Sequence, residues 1–211
     1  MKRLVIVLLV LLTGFAWSGQ NVDKFIKRVQ KKYQKVNLLH IDFKQSNRFK
    51  LTGLENEIFG TLWLSRQNKF RLDTEDQTIV SDGKTFWRFN KLENQVLIDY
   101  AKKSQQDVFI NNFLFHISDR YFCQILSEQK VGKEKIVELK LTPKDSEESF
   151  FKFIKVWISD KTLQIKRVIY VDYNDNESEY VIEKQELNPA KPELLFRFEV
   201  PEGMEVVDLR F

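Results

Sequence analysis

The order of apolar and polar residues predicts an amphipathic helix near the start of the chain. Its apolar positions recur at spacings of three and four residues: Val22, Phe25, Ile26, Val29, Tyr33 and Val36. Asn21 stands where an N-cap residue belongs, and basic residues fill the opposite face. The helix either packs its apolar stripe on a sheet or lies on a membrane surface. We favour packing on a sheet, because docked amphipathic helices are far commoner.

Most of the remaining chain alternates apolar with polar residues, which is the pattern of strands with one buried face. The Asp82-Gly83 pair between two such segments is the strongest hairpin signal in the chain. The predicted strands cover residues 39–43, 60–64, 70–72, 78–80, 85–89, 96–100, 137–141, 150–159, 163–173, 178–187 and 194–200. The pattern therefore predicts an antiparallel sheet of about ten to eleven strands.

Residues 105–121 interrupt the strand pattern. Within them Phe113 and Leu114 belong to a set of apolar positions at helical spacing, which predicts one or two short helices inserted between strands. A leading helix, a mid-chain helical insert and a wide antiparallel sheet make an α+β fold. Because a sheet this wide tends to curl, we expect the helices to cross its concave face.

The first residues have the pattern of a secretory signal peptide. A basic start precedes the apolar run Leu4–Leu12, and small residues lead to a cleavage point after Ser18. The run is too short to span a bilayer core of roughly 30 Å. We therefore predict a signal peptide over residues 1–18 and one exported domain over residues 19–211.

Cysteine usage and charge exclude several classes of protein. Cys123 is the only cysteine, so no intramolecular disulfide can form and no cysteine stands at the cleavage point to carry a lipid. It lies in the apolar segment YFCQIL, and we expect an inert, buried thiol. The net charge of +4 includes Lys2 and Arg3 of the predicted signal peptide, and no nucleic-acid motif is present. We expect a soluble protein that does not bind nucleic acid.

No catalytic or metal-binding constellation stands out. His40 and His116 are the only histidines, and they lack metal-ligand spacing. The chain has no nucleophile elbow, phosphate-binding glycine loop or zinc signature, and its carboxylates alternate with lysines as on solvated strand faces. We therefore expect no enzyme activity, no metal and no cofactor. Two carboxylates meeting in the fold would reopen the question of catalysis.

The remaining chemical signal is apolar. With 18 phenylalanines and 13% aromatic residues, the chain needs either a large interior or an apolar ligand. Eight side chains on predicted strands are candidates for one shared apolar face: Ile41, Phe43, Leu62, Leu64, Phe70, Leu72, Trp87 and Phe89. Periodicity alone leaves two interpretations open, a packed core or a lined cavity, and it favours the core.

Three segments carry a resemblance to a known family. They are GTLWLSRQNKFRLD (Gly60–Asp73), TIVSDGKTFWRFN (Thr78–Asn90) and the ending FRFEVPEGMEVVDLR. Together they resemble the outer-membrane lipoprotein carrier family, the LolA-type periplasmic chaperones, and the likeness extends over essentially the whole predicted mature chain. Gln67 stands where the family usually has proline, and Leu72 stands where tryptophan is frequent.

The resemblance implies an open, incomplete antiparallel β-barrel with a concave apolar cavity under a helical lid. The eight candidate strand residues would line this cavity. The lid would face it with Phe25, Ile26, Val29, Phe113 and Leu114. The resemblance also implies a monomeric periplasmic carrier of acylated lipoproteins. Such a carrier takes its cargo from an inner-membrane ABC transporter, driven by ATP, and passes it to an outer-membrane acceptor.

Two residues receive roles from the resemblance. Arg66 matches the family's arginine that hydrogen-bonds backbone carbonyls of the lid helices when the cavity is empty, and a guanidinium with five donors and no acceptor suits such partners. Phe70 matches a position implicated in docking to the transporter. The alternative function is a periplasmic module on the same half-barrel that senses lipid or lipoprotein. A sensor usually needs a further domain to contact its partner.

Overall fold

A computed structural model of the protein describes residues 19–65, 69–101, 117–147, 149–190, 192 and 194–210. In these ranges one long helix, α1 (Gly19–Tyr33), precedes twelve strands. Residues 117–120 form a short helical turn. The predicted latch and part of the predicted lid lie outside the described residues: Arg66, Phe113 and Leu114.

The strands are β1 (Leu38–Arg48), β2 (Glu55–Ser65), β3 (Lys69–Thr74), β4 (Gln77–Asp82), β5 (Thr85–Asn90), β6 (Gln95–Tyr100), β7 (Tyr121–Val131), β8 (Glu134–Pro143), β9 (Phe151–Ser159), β10 (Ile165–Asp172), β11 (Glu177–Leu187) and β12 (Glu205–Asp208). They form one sheet in the order β12-β6-β5-β4-β3-β2-β1-β11-β10-β9-β8-β7. Neighbours pair antiparallel except β12, which runs parallel to β6.

The sheet is open, with β12 at one edge and β7 at the other. Wide sheets curl because every strand is twisted. This sheet curls around α1, since one core cluster joins side chains of the helix to side chains of strands from β1 to β10. The predicted α+β class and incomplete antiparallel barrel are confirmed, with twelve strands in place of about ten to eleven.

Helix α1 packs on the sheet with the predicted apolar stripe. The stripe residues are between 0% and 7% exposed: Val22, Phe25, Ile26, Val29, Tyr33 and, just beyond the helix, Val36. The basic residues face outward, so the interpretation of α1 as a docked helix is confirmed. Because the helix begins at Gly19, Asn21 lies in its first turn, and its prediction as the N-cap is wrong.

The two faces of the sheet have different neighbours. Side chains alternate between faces along a strand, and residues directly opposite on paired strands share a face. We call the face that carries Leu39, Ile41 and Phe43 the inner face, because these residues cluster with α1. We call the face that carries the paired residues His40 and Trp63 the outer face.

The Asp82-Gly83 hairpin forms as predicted between β4 and β5. Gly83 adopts a φ of 91°, a conformation that glycine tolerates best. The Asp82 carboxylate accepts hydrogen bonds from the backbone N–H groups of Lys84 and Thr85, both at 2.8 Å. These bonds fix the register of the hairpin at its turn.

Two predictions about the strands are wrong. Residues 194–200 form a turn and irregular structure instead of a strand, because Leu194 takes a left-handed φ of 60° and the segment crosses the outer face without joining the sheet. The strand β12 follows instead and pairs with β6. The predicted set of strands also lacks β7, which begins at Tyr121, the last residue of the predicted insert, and forms the edge strand beside β8.

Candidate functional site

The inner face beneath α1 brings together most of the predicted binding residues. Six of the eight strand residues lie there, five of them at most 4% exposed and the last partly buried: Ile41, Phe43, Leu62, Leu64, Phe70 and Leu72. Three predicted lid residues of α1 join the same cluster: Phe25, Ile26 and Val29. In this structure these side chains form a closed core.

Trp87 and Phe89 lie on the outer face, so the prediction that they share a surface with the other six residues is wrong. Phe86, which directly precedes Trp87 and so points to the opposite face, is 1% exposed and belongs to the inner cluster. Its ring centroid lies 6.3 Å from that of Phe70. The segment TFWRF carries aromatic residues on both faces of β5, so alternation alone does not say which set faces the helix.

Gly60 of β2 lets the inner face close around Phe43. A Cβ at this position would lie 2.7 Å from Phe43 Cζ and 2.9 Å from the carbonyl oxygen of Asp73. Neither neighbour can yield easily, because one is a buried ring and the other is backbone. The glycine of the GTLW segment is therefore needed where the Phe43 ring crosses the strand.

Polar contacts fasten α1 to the turn between β9 and β10. Arg28 Nη1 donates to Asp160 Oδ1 at 2.8 Å, and Arg28 Nη2 donates to the carbonyl oxygen of Asp160 at 2.8 Å. Lys32 Nζ donates to the carbonyl oxygen of Thr162. We call these contacts of Arg28 and Lys32 the helix clamp. Burial, followed by repulsion from Lys166, lowers the pKa of Lys32.

Two further contacts hold α1 on its buried side. Gln185 Nε2 of β11 donates to Tyr33 Oη at 2.7 Å, and Ser118 Oγ donates to Gln30 Oε1 at 3.0 Å. Burial raises the pKa of Tyr33 to about 12, so its hydroxyl is neutral at physiological pH. Sequence reasoning missed these contacts and those of the helix clamp. Their partners are far apart in the chain, and no periodic pattern links them.

The outer face over β1–β6 has a different cover, which we call the C-terminal cover (residues 194–210). The Phe198 ring lies 6.5 Å from the Trp87 ring and 6.2 Å from the Phe89 ring, measured between centroids. The cover and the sheet also meet in a small apolar cluster, formed by Leu195 and Phe196 of the cover with Leu38 and Trp63 of the sheet. The two aromatic residues predicted for the cavity therefore pack against this cover.

The C-terminal cover is joined to the sheet by backbone hydrogen bonds. Its strand β12 pairs with β6 from Glu205 to Asp208, and Leu209 N–H donates to the carbonyl oxygen of Ile98 at 2.8 Å. Beside its start a pocket of about 290 Å³ opens, lined by Asn37, Leu38, Ser65, Lys69, Asn188, Pro189 and Phe196. This pocket involves Phe196 of the cover and lies apart from the cluster beneath α1.

Cys123 and His40 lie on opposite faces of the sheet and form no catalytic pair, and His116 lies outside the described residues. Burial raises the pKa of Cys123 to about 11, which keeps its thiol protonated. His40 lies on the outer face, with Nδ1 3.0 Å from Glu186 and Nε2 3.2 Å from Asp42, and it stacks on Trp63 at 3.9 Å. Hydrogen bonds from His40 and Lys184 hold the pKa of Glu186 below its ordinary value.

Across the described ranges, no group of three or more histidine, cysteine, aspartate and glutamate side chains is placed to hold a metal ion. None of the helices in those ranges is long and apolar enough to cross a membrane. Among the described residues, the inner face beneath α1 holds the larger of the two apolar clusters.

Several solved structures share the fold. An uncharacterized conserved protein from Thermus thermophilus superposes with a TM-score of 0.57 at 13% identity, covering 88% of this chain and 98% of the other. The lipoprotein LppX from Mycobacterium tuberculosis superposes with a TM-score of 0.50 at 11% identity, covering 82% of this chain and 99% of the other. At these identities the likeness concerns the fold alone.

Sequence comparison gives a more specific result. A protein from Psychromonas ingrahamii named outer-membrane lipoprotein carrier protein is 26% identical over 214 residues and covers 100% of both chains. A protein of the same name from Serratia proteamaculans is 28% identical, again over 100% of both chains. Residues 34–199 match the family described as outer membrane lipoprotein carrier protein LolA. Since that match spans most of the chain, the protein belongs to the LolA family of outer-membrane lipoprotein carriers.

Proposed function

We propose that the protein is a periplasmic carrier that shields the acyl chains of lipoproteins by exchanging them for helix α1 on the inner face. The single observation that carries this proposal is an extended apolar face covered by one amphipathic helix. The transfer is physical and involves no covalent step. By family membership, the donor is an inner-membrane ABC transporter and the recipient is an outer-membrane acceptor.

A helix is a cover that can leave without breaking the sheet. Its backbone N–H and C=O groups bond within the helix, so moving α1 leaves the hydrogen bonds of the strands intact. What attaches α1 is its apolar stripe and a few side-chain contacts. The exposed ion pair between Arg28 and Asp160 contributes roughly 0–1 kcal/mol, which a binding event readily offsets.

The free energy lost when α1 leaves the inner face is similar in size to the free energy gained when acyl chains cover it. Removing the six stripe residues from their apolar contacts costs roughly 1.5–3 kcal/mol each, or about 9–18 kcal/mol in total as an upper estimate. Each acyl CH₂ taken from water gains about 0.8 kcal/mol, so about 15 methylenes match the whole stripe. A lipoprotein with several acyl chains therefore displaces α1, and a carrier poised near balance releases its cargo again.

The proposal gives roles to residues beyond the described cluster. Arg66 acts as the latch that holds the lid over the empty face, as in the family, and Arg66→Leu accepts cargo but releases it slowly. Phe70, 4% exposed beside Phe86, becomes available for docking to the transporter once the lid opens. The carrier acts as a monomer, exported by the signal peptide of residues 1–18.

Site-specific photo-crosslinking tests the proposal on the full chain expressed in a lipoprotein-producing bacterium. A photoreactive phenylalanine analogue replaces Phe25, which faces the inner cluster, or Lys27, which is exposed on the same helix. We expect adducts with acylated polypeptides, identified by mass spectrometry, from position 25 and none from position 27. Both variants carry the same probe in the same helix, so a difference in labelling shows which side of α1 contacts the cargo.

Two outcomes would overturn the carrier function. Adducts with free phospholipid alone would favour the lipid-sensing alternative. Equal labelling at positions 25 and 27 would mean that lipoproteins touch the surface of the protein and never replace the helix stripe.

A further inference from the structure

The turn between β1 and β2 holds apolar side chains out in water. Leu51 is 96% exposed, Leu54 65% and Phe49 42%. The turn stands beyond the paired part of the sheet on the β3 side, because the pairing of β2 with β3 begins only at Gly60. We call residues 49–54 the apolar tip.

Hydrogen bonds fix the conformation of the apolar tip. Gly53 N–H donates to the carbonyl oxygen of Phe49 at 2.8 Å, and Phe49 N–H donates to the carbonyl oxygen of Leu54 at 2.9 Å. Lys50 N–H donates to Asn176 Oδ1 at 2.9 Å, which ties the tip to the turn after β10. The φ of Gly53 is 66°. The tip is thus an ordered turn that displays its apolar side chains and does not bury them.

Neighbouring loops expose aromatic residues at the same end of the sheet. Tyr173, in the turn that receives Lys50, is 53% exposed, and its hydroxyl donates to the carbonyl oxygen of Ser146 in the next loop. That loop ends at Phe150, which is 54% exposed. The strands β1, β11, β10 and β9 are adjacent, so the three loops form one continuous edge.

The charges around the tip are mostly neutralised. Arg48 contacts Glu55 at 2.6 Å and Glu177 at 3.4 Å. Lys50 forms no ion pair among the residues that the structure describes, and it stands between Phe49 and Leu51 in the sequence. The apolar tip itself therefore presents aliphatic and aromatic side chains beside one lysine that has no ion pair.

A bilayer fits this edge better than a protein does. A stable protein interface buries about 800 Å² on each partner around a complementary core, whereas the tip is a narrow projection of three side chains. A fluid interface accepts such a projection without a matching pocket, and aromatic side chains are favoured at headgroup depth. A free ammonium group also suits anionic headgroups.

We propose that the apolar tip docks the protein on a phospholipid bilayer, with Leu51 and Leu54 entering the headgroup–acyl boundary. Docking itself does not require cargo. Its use rests on the proposed function: a carrier that touches the bilayer at this edge delivers acyl chains without exposing them to water.

Vesicle flotation of the purified, cargo-free protein tests the proposal. The vesicles contain phosphatidylethanolamine with a minority of phosphatidylglycerol. We expect the Leu51→Glu, Leu54→Glu double variant to float about tenfold less than the unmodified protein, because both carboxylates oppose insertion. The matched control is Val131→Glu at the far end of β7, where Val131 is 61% exposed, and it floats normally.

A fluorescence measurement tests docking without introducing charged residues, so that a failure to fold cannot explain the result. An environment-sensitive dye is attached at Leu51→Cys, or at Val131→Cys, with Cys123→Ser in both. The dye at position 51 brightens when vesicles are added, and the dye at position 131 does not.

Failure of the unmodified protein to float, or equal flotation of the double variant, would overturn the proposal. So would a change in self-association in place of vesicle binding. Photo-crosslinking at position 25 tests the carrier function and not bilayer docking, so the failure of one proposal can be told from the failure of the other.

Discussion

Helix α1 and the C-terminal cover each bury one face of the same sheet, but they are held in different ways. The helix contacts the inner face through side chains alone, chiefly its stripe and the helix clamp. The C-terminal cover contacts the outer face through Phe198 and its neighbours and then becomes strand β12, which shares backbone hydrogen bonds with β6.

The two covers differ in what their removal would cost the sheet. Displacing the C-terminal cover would break the backbone hydrogen bonds between β12 and β6, and each such bond contributes about 0.5–1.5 kcal/mol net. Displacing α1 leaves no strand group unpaired and exposes only apolar surface, which a ligand of similar chemistry can cover. On the proposed function, the exchangeable element therefore lies on the inner face, and the more firmly attached cover lies on the aromatic outer face.

The largest effect is expected from a charge placed under α1. Val29 is 0% exposed at the centre of the stripe, so Val29→Asp buries a carboxylate with no partner and lowers the free energy of unfolding by about 4 kcal/mol or more. Denaturant unfolding measures the loss. Lys27→Asp, on the exposed side of the same helix, changes stability by less than about 0.5 kcal/mol. Equal stability of the two variants would mean that the stripe is not packed.

A smaller loss is expected on the outer face. Phe198 is half-buried against Trp87 and Phe89, so Phe198→Ala lowers the free energy of unfolding by about 2 kcal/mol. Uptake of a fluorescent acyl probe stays at the level of the unmodified protein, because the inner face is untouched. A parallel fall in probe uptake would show that the two covers act together.

The buried tyrosines make stability depend on alkaline pH. Burial raises the pKa of Tyr33 and of Tyr180 to about 12, and it raises that of Tyr170 still further. The contribution of these tyrosines to the free energy of unfolding is full below pH 10, their ordinary pKa. It is lost as the pH rises towards 12, because only the unfolded chain ionises in that range. At pH 11 each of these tyrosines lowers the free energy of unfolding by roughly 1 kcal/mol relative to its value below pH 10.

Urea unfolding at pH 9 and pH 11 measures this loss. Tyr180→Phe is the matched variant, because it keeps the ring contacts with Phe43 and Tyr170 and removes only the ionising group. It should lose roughly 1 kcal/mol less stability between the two pH values than the unmodified protein does. An identical loss in both proteins would place the ring of Tyr180 in water.

The smallest effect on stability is expected at the helix clamp. Arg28→Ala removes an exposed ion pair and one bond to a carbonyl, so unfolding changes by less than about 1 kcal/mol. Uptake of the acyl probe becomes faster, because α1 leaves the inner face more often. Lys24→Ala, on the exposed side of α1, leaves the uptake rate unchanged. Slower uptake in Arg28→Ala would contradict the clamp.

Sequence patterns predicted the elements better than their faces. The α1 stripe, the Asp82-Gly83 hairpin and most strands follow from periods of 3.6 and 2 residues, which are local properties. The face assignment of Trp87 failed because TFWRF is aromatic on both sides, and only the pairing of β4 with β5 identifies Phe86 as the inward residue.

The misses near the ends of the sheet have physical causes. The strand β12 has four residues and pairs in parallel with a strand about a hundred residues earlier, so no local signal marks it. The segment 194–200 has strand composition but serves as a cover, since the aromatic outer face attracts the same residues that a sheet does. The helix clamp depends on Arg28 meeting Asp160, which only the fold brings together.

Displacement of α1 by cargo is the central claim, and pulsed electron spin resonance distances test it most directly. Spin labels replace Lys27 on α1 and Lys184 on the outer face of β11, in a Cys123→Ser background. A second pair joins Glu202 of the C-terminal cover to Lys184. Binding of a purified triacylated lipoprotein should move the first distance by on the order of 10 Å, the diameter of a helix, and leave the second unchanged. An unchanged first distance with cargo bound would contradict the account.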